Sequence, residues 1–420
     1  MSDNVKTDYL APIDLVLAPH NFQDRRQTFN YLETQIQNWI DTSEEINDPE
    51  KTEVLVVLEN VGIPLELVIE FDQLVYSGIA PSLAFKKIKY KGYFKREFNF
   101  DPSEEEINDY ENSLKVEQRE NLIQDFTDKN NKAPTEDELK VLIRETANDD
   151  KFLESQLKGM DRVQEALAKK GKKLRLLFEF MPDAQYNLAF SLSLNQANNY
   201  REELGELIKS GDYVDALSAF KHFTLEMAEL NILREDTLSS TISEASRLQT
   251  LSGGQKSFLH IFSQFGTSHS GIAMRFQNEN LPYKINYPTK EERVYSFFPF
   301  DSLLKVFLMH YIRHYRKEGK VSPVMLGMWL QDNLPEISLG EWYRGLVGFI
   351  VTELLASEDK YKYLLDDTEN LKHFTLKVVN RLNKIMKEGK ITMEEYMQNL
   401  FQDIKIKGIV EAFESRGLIE

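Results

Sequence analysis

The chain has 420 residues, 41% hydrophobic and 11% aromatic, enough apolar material for a substantial core and too much for a disordered tail. A formal net charge of −17 repels phosphate backbones and argues against nucleic acid as a partner, and the short basic clusters Lys86-Lys87, Lys169-Lys170 and Lys172-Lys173 form no sustained stripe. The absence of cysteine excludes disulfide staples, thiol catalysis and cysteine-rich zinc sites.

The first residues, MSDNVKTDYL, show no basic region followed by an apolar one, so no secretory signal is expected. Residues 13–18, IDLVLA, form an apolar run ending at Pro19-His20, which predicts a buried strand and a loop. Phe29, Leu32, Ile36 and Ile40 follow near helical spacing. A polar connection containing Pro49 leads to EVLVVLEN (53–60), a second buried-strand candidate that ends in Glu59 and Asn60. Strand, helix and strand over this length predict a parallel βαβ unit.

Residues 95–160 are dense in Glu, Asp, Asn and Lys, with helix-start signals at Asp101-Pro102-Ser103 and Pro134-Thr135-Glu136. They read as a charged helical insertion, either a lid or a solvated surface excursion. KKLRLLFEFMP predicts a third strand that Pro182 stops, and 196–246 is helical in pattern. Beyond Pro288 the chain reads as mostly helical, with Gly319 and Gly389 placed to end two amphipathic helices. The most apolar helical stretch, near 346–356, is interrupted by Thr352 and Glu353 and is too short for a bilayer span. The expectation is a cytoplasmic α/β protein with a central, mostly parallel sheet flanked by helices. Its core would comprise 1–94 and 161–295, with the insertion at 95–160 and a helical C-terminal region, 296–420, packed on the core. The amphipathic helices of that region also offer a route to homo-oligomers.

LSGGQ (251–255) matches the signature string of ABC-type ATPases, whose amides hold a γ-phosphate at a helix N-terminus. Such an enzyme also needs a GxxxxGK[ST] phosphate loop. The Gly-Lys pairs at 171–172, 319–320 and 389–390 are followed by Lys173, Val321 and Ile391, and none follows an apolar strand. The ATPase reading therefore fails, and no ATP is expected. The two glycines read as a turn into SFLHIFSQF, another strand candidate, although its periodicity also fits a helix.

The chemistry-bearing residues cluster after the strands. In parallel sheets the carboxyl ends of strands line the ligand crevice. His20, Glu59 and His269 each follow a strand candidate, and His269 sits in the small-residue turn GTSHSG (266–271). Taken singly, His20 could cap a helix and Glu59 could pair with an arginine. His222, His310, His314 and His373 lie on helical stretches and read as packing or surface residues. NILREDTLSSTISEA (231–245) is a helical pattern with Arg234, Glu235 and Asp236 at one end, able to bind a carboxylate or an oxyanion, or simply to carry surface charge.

This order resembles the superfamily that joins erythromycin esterase-like hydrolases, haem-binding ChaN-like lipoproteins and TraB-type proteins. The residues concerned are LVLAPH with His20, VLVVLE with Glu59, LREDTLSS with its Arg-Glu pair, and GTSH with His269 followed by a glycine and Arg275, all within 13–276. Leu238 stands where the family commonly has Met, and Ala18-Pro19 where it has Gly-Glu or Gly-Thr. The resemblance implies a hydrolase in which His20 or His269, with Glu59, activates water against an ester, lactone or amide. Arg234 would hold the anion, and Asn60, Glu235, Ser268 and Arg275 would contact a small-molecule substrate. TraB-type relatives add the option of a divalent metal on His20, Glu59 and His269. ChaN-like relatives add the alternative of a non-catalytic binding protein for haem, another small ligand or a protein partner.

Overall fold

The computed structural model describes residues 10–18, 22–49, 51–59, 65–98, 103–130, 132–135, 138–139, 149–179, 184–251, 258–266, 269, 271–287, 301–366, 368–389 and 391–420. The strands are β1 (Ile13–Ala18), β2 (Glu53–Leu58), β3 (Lys173–Phe178), β4 (Phe258–Gly266) and β5 (Tyr283–Asn286). They form one parallel sheet in the order β3-β2-β4-β1-β5, flanked by helices. The four apolar runs expected to be strands are strands, because parallel strands covered on both faces need apolar residues throughout. Val54 to Leu58 of β2 are all buried, as is β4 from Leu259 to Gly266. Edge strand β3 instead alternates, with Arg175 half exposed and paired to the buried Asp72.

The expected βαβ unit is corrected in one respect. β1 and β2 are not neighbours, since β4 lies between them. The longest and most completely buried strand thus takes the centre of the sheet. β2 pairs in parallel with β3 (Leu58 opposite Phe178) and with β4 (Leu58 opposite Gln264). A register irregularity falls between Glu53 and Val54.

The chain divides into two compact units. The first comprises 1–16, 22–180 and 244–265. Its helices are α1 (Phe22–Thr42), α2 (Leu65–Tyr76), α3 (Pro81–Phe98), α4 (Glu104–Asn130) and α5 (Asp149–Lys169). Leu153, Leu157, Met160, Val163 and Leu167 recur at helical spacing on α5 and fill the core with Ile36, Val56, Phe71 and Phe178. Leu153 to Met160 fall within the segment expected to be a solvated insertion, so its last turns are core. α4 is the exposed part, anchored where Ile107 and Tyr110 meet Tyr90 and Phe94. In the same unit His260 of β4 contacts Asp14 at 3.1 Å and stacks near Trp39 and Phe262.

The second unit comprises 17–21, 181–243 and 266–420. It holds α6 (Ala184–Ser210), α7 (Tyr213–Leu251), α8 (Gly271–Asn278), α9 (Asp301–Glu318), α10 (Leu326–Asp332), α11 (Leu339–Phe349), α12 (Thr368–Glu388), α13 (Met393–Lys407) and α14 (Ile409–Ser415). α7 runs on past the unit boundary after Ser243. Phe220, Phe307, Phe349, Phe401 and Phe413 are buried in its single hydrophobic core. Gly319 ends α9 at φ +83°, the left-handed conformation that glycine takes without penalty. No described helix is long and apolar enough to cross a membrane. The glycines of LSGGQ, Gly253 and Gly254, lie outside the described residues.

Candidate functional site

The site is built on the middle of α7. The sequence pattern places Arg234-Glu235-Asp236 at the end of a helix, but α7 is continuous over 39 residues and these three lie inside it. The run looks terminal because it is polar. Its polar side chains are buried nonetheless, and several are satisfied by the helix itself. Thr237 donates to the Leu233 carbonyl at 3.0 Å, Thr241 to Thr237 at 3.0 Å, and Ser239 to Asp236 at 3.1 Å.

Glu235 is 1% exposed and Asp236 2% exposed, so each carboxylate needs a partner nearby. Asp236 is the hub. Its Oδ1 pairs with Nη1 of Arg275, on α8, and its Oδ2 takes Nζ of Lys320 at 2.7 Å. The Tyr186 hydroxyl donates to the same Oδ2 at 2.9 Å. Arg275, 3% exposed, lies against the rings of Tyr311 and Tyr315 at 5.3 and 5.1 Å, while Lys320 caps the Tyr186 ring at 4.6 Å. Glu235 faces His269, with Oε1 and Nδ1 3.7 Å apart.

The electrostatics follow from this packing. Burial works against the Arg275 cation, but Asp236, then Tyr311 and Glu235, outweigh it and leave its pKa raised. Burial, then the negative charge of Asp236, pushes the Tyr186 and Tyr311 hydroxyls well above the ordinary tyrosine value. Both stay protonated and remain donors. Two carboxylates face two cations, so the cluster is close to neutral before His269 is counted. Buried atoms that keep hydrogen-bonding capacity include Nε and Nη2 of Arg275 and Oε2 of Glu235. Nε and Nη2 form the two-donor edge that matches a carboxylate or a developing oxyanion.

Of the residues singled out in the sequence, Glu235, His269 and Arg275 come together in the second unit. Arg234 lies in the same helix, half-buried. Glu59 follows β2 in the first unit and is half-buried. β2, β4 and β1 are consecutive and parallel in the sheet. His20, Asn60 and Ser268 lie outside the described residues. Among the described residues no group of three or more His, Asp or Glu is arranged to hold a metal. Asp236 was visible in the Arg-Glu-Asp run but not singled out. Tyr186, Tyr311 and Lys320 had no local signal, because the fold brings them to Asp236 from two distant segments, α6 and the C-terminal half of α9 with the residues just after it. Only the helical spacing of Tyr311 and Tyr315 hints at a shared face. No family model, curated protein or solved structure matches the chain.

Proposed function

We propose that the chain is a hydrolase acting on an ester, lactone or amide, with its reacting centre at His269. The observation that carries this reading is the Glu235–His269 pair, with the buried Arg275 within electrostatic reach of Glu235. Glu235 lies beside Nδ1 of the imidazole, and the His269 ring is the base that takes a proton from the attacking water. The 3.7 Å separation is long for a hydrogen bond, and such bonds tighten when substrate closes a site. Nε and Nη2 of Arg275 meet the carbonyl oxygen as it gains charge. The proton then passes from His269 to the departing alkoxide or amine. Asp236, Tyr186 and Lys320 hold Arg275 and its surroundings in place.

A second reading, a protein that holds a small anion without turning it over, is favoured by depth. Glu235, Asp236, His269 and Arg275 are all at most 4% exposed, which suits retention as well as turnover. A panel of chromogenic esters, half of them carrying a carboxylate, separates the two. Turnover by the wild type that His269→Ala and Glu235→Gln abolish, with folding intact by circular dichroism, supports the hydrolase. Saturable binding of carboxylates, lost in Arg275→Met and accompanied by no turnover, supports the second reading. Turnover that survives both His269→Ala and Glu235→Gln rules out the assigned centre.

A further inference from the structure

We propose that His310 and His314 form a binding site for a divalent transition metal on α9, independent of the hydrolase reading. The two histidines are one helical turn apart, the spacing that brings side chains onto a common face. Their ring centroids lie 4.6 Å apart. Nε2 of His310 and Nδ1 of His314 are both buried and both without a hydrogen-bond partner. A buried ring nitrogen with nothing to bond is costly, and two on neighbouring imidazoles call for a shared partner.

The surroundings suit a metal better than a water. The backbone of Asn333 lies against His310, an outer partner of the kind that stands behind metal-bound imidazoles. Trp329 of α10 walls the pair, 6.1 Å from His310 and 5.4 Å from His314. Glu318, one turn further on, brings a carboxylate oxygen to 3.7 Å from Nδ1 of His314.

Two imidazoles select zinc, copper, nickel or cobalt over magnesium or calcium, which prefer oxygen cages. Since no three-residue cage exists among the described residues, the site is a two-histidine chelate completed by water. Its coordination links α9 to the Trp329 helix through the Asn333 carbonyl.

The test is calorimetric titration of the metal-free full chain with Zn2+, alongside His310→Gln and His314→Gln. One site should saturate in the wild type, each variant should weaken it by about tenfold or more, and Mg2+ should not compete. Ni2+ should quench part of the tryptophan fluorescence, and Trp329→Phe should remove that quenching while the Zn2+ isotherm persists. This second arm needs no histidine variant to fold. A wild type that binds no Zn2+, an isotherm unchanged in both histidine variants, or quenching unchanged in Trp329→Phe overturns the proposal.

Discussion

A Cβ at Gly271 would collide with Oε2 of Glu235 and with Cδ2 of Leu308. Glycine at the first position of α8 is therefore what lets a fully buried carboxylate rest against that helix start. The partial positive charge at a helix start favours an anion and adds to the attraction between Glu235 and Arg275. Gly271→Ala should push the carboxylate away from His269 and cost about 1–3 kcal/mol as overpacking. Urea unfolding measures the stability loss. On the hydrolase reading, turnover should fall more than stability alone explains. A variant with wild-type stability and turnover would show that Glu235 has room to move.

Asp236 and Arg275 form a buried pair, and losing one partner strands the other. Arg275→Met should destabilise by roughly 3–5 kcal/mol. Lys320→Met should cost less, about 1 kcal/mol or under, because the Lys320 side chain is 36% exposed and its attraction is screened by water. The double variant Asp236→Leu/Arg275→Met should recover much of the single-variant loss, since it leaves neither member of the pair stranded and the partly exposed Lys320 can turn to water. A double-mutant cycle by urea unfolding reads the coupling, and additive losses would contradict a tight pair.

Ser338 begins α11, the helix that carries Trp342, Tyr343, Leu346, Val347 and Phe349 into the core of the second unit. Its hydroxyl accepts the Glu341 amide at 3.3 Å, and the Glu341 carboxylate accepts the Ser338 amide at 3.2 Å. This reciprocal pair satisfies two amides that the helix cannot. Ser338→Ala should cost about 1 kcal/mol in thermal or urea unfolding, and Ser338→Gly only a few tenths. No loss in Ser338→Ala would mean that the hydroxyl contributes nothing.

The legibility of the sequence follows from where each signal is encoded. IDLVLA, EVLVVL, KLRLLF and FLHIFSQFG stand out because burial on both faces leaves no room for polar residues. YKIN of β5 does not, being four residues long and only partly buried. Strand order is not a local property, so β4 between β1 and β2 had no sequence sign. The continuity of α7 through Arg234 was hidden for the opposite reason, as buried polar residues imitate a helix end. His269 draws notice as a histidine after a strand and Glu235 as part of an Arg-Glu-Asp run, whereas Arg275 enters only through the resemblance. Their partners Tyr186, Tyr311 and Lys320 are ordinary residues in their own segments. Only the packing of α6, α7 and α9 gives them a shared task.

Glu229, also on α7, gives the chain a predicted pH dependence. It is 7% exposed, with Glu226 one turn before it, Ser193 of α6 beside it and the Gly327 amide of α10 at its carboxylate. Burial raises its pKa from 4.5 to about 7, and Glu226 adds to the rise, against the Ser193 and Gly327 hydrogen bonds. The folded chain thus holds a proton that the unfolded chain has released across this window. Where the folded state binds more protons, stability falls as pH rises. The contribution is complete below the unfolded value and is lost as pH climbs through the folded one. Glu229→Gln keeps the hydrogen-bonding shape and removes the titration. Relative to wild type, it should gain stability steadily as pH rises through the window, by on the order of 3 kcal/mol at most. Unfolding midpoints of both proteins across that range provide the measurement. A constant difference between them would mean that Glu229 titrates as an ordinary carboxylate and that its pocket is wetter than its burial implies.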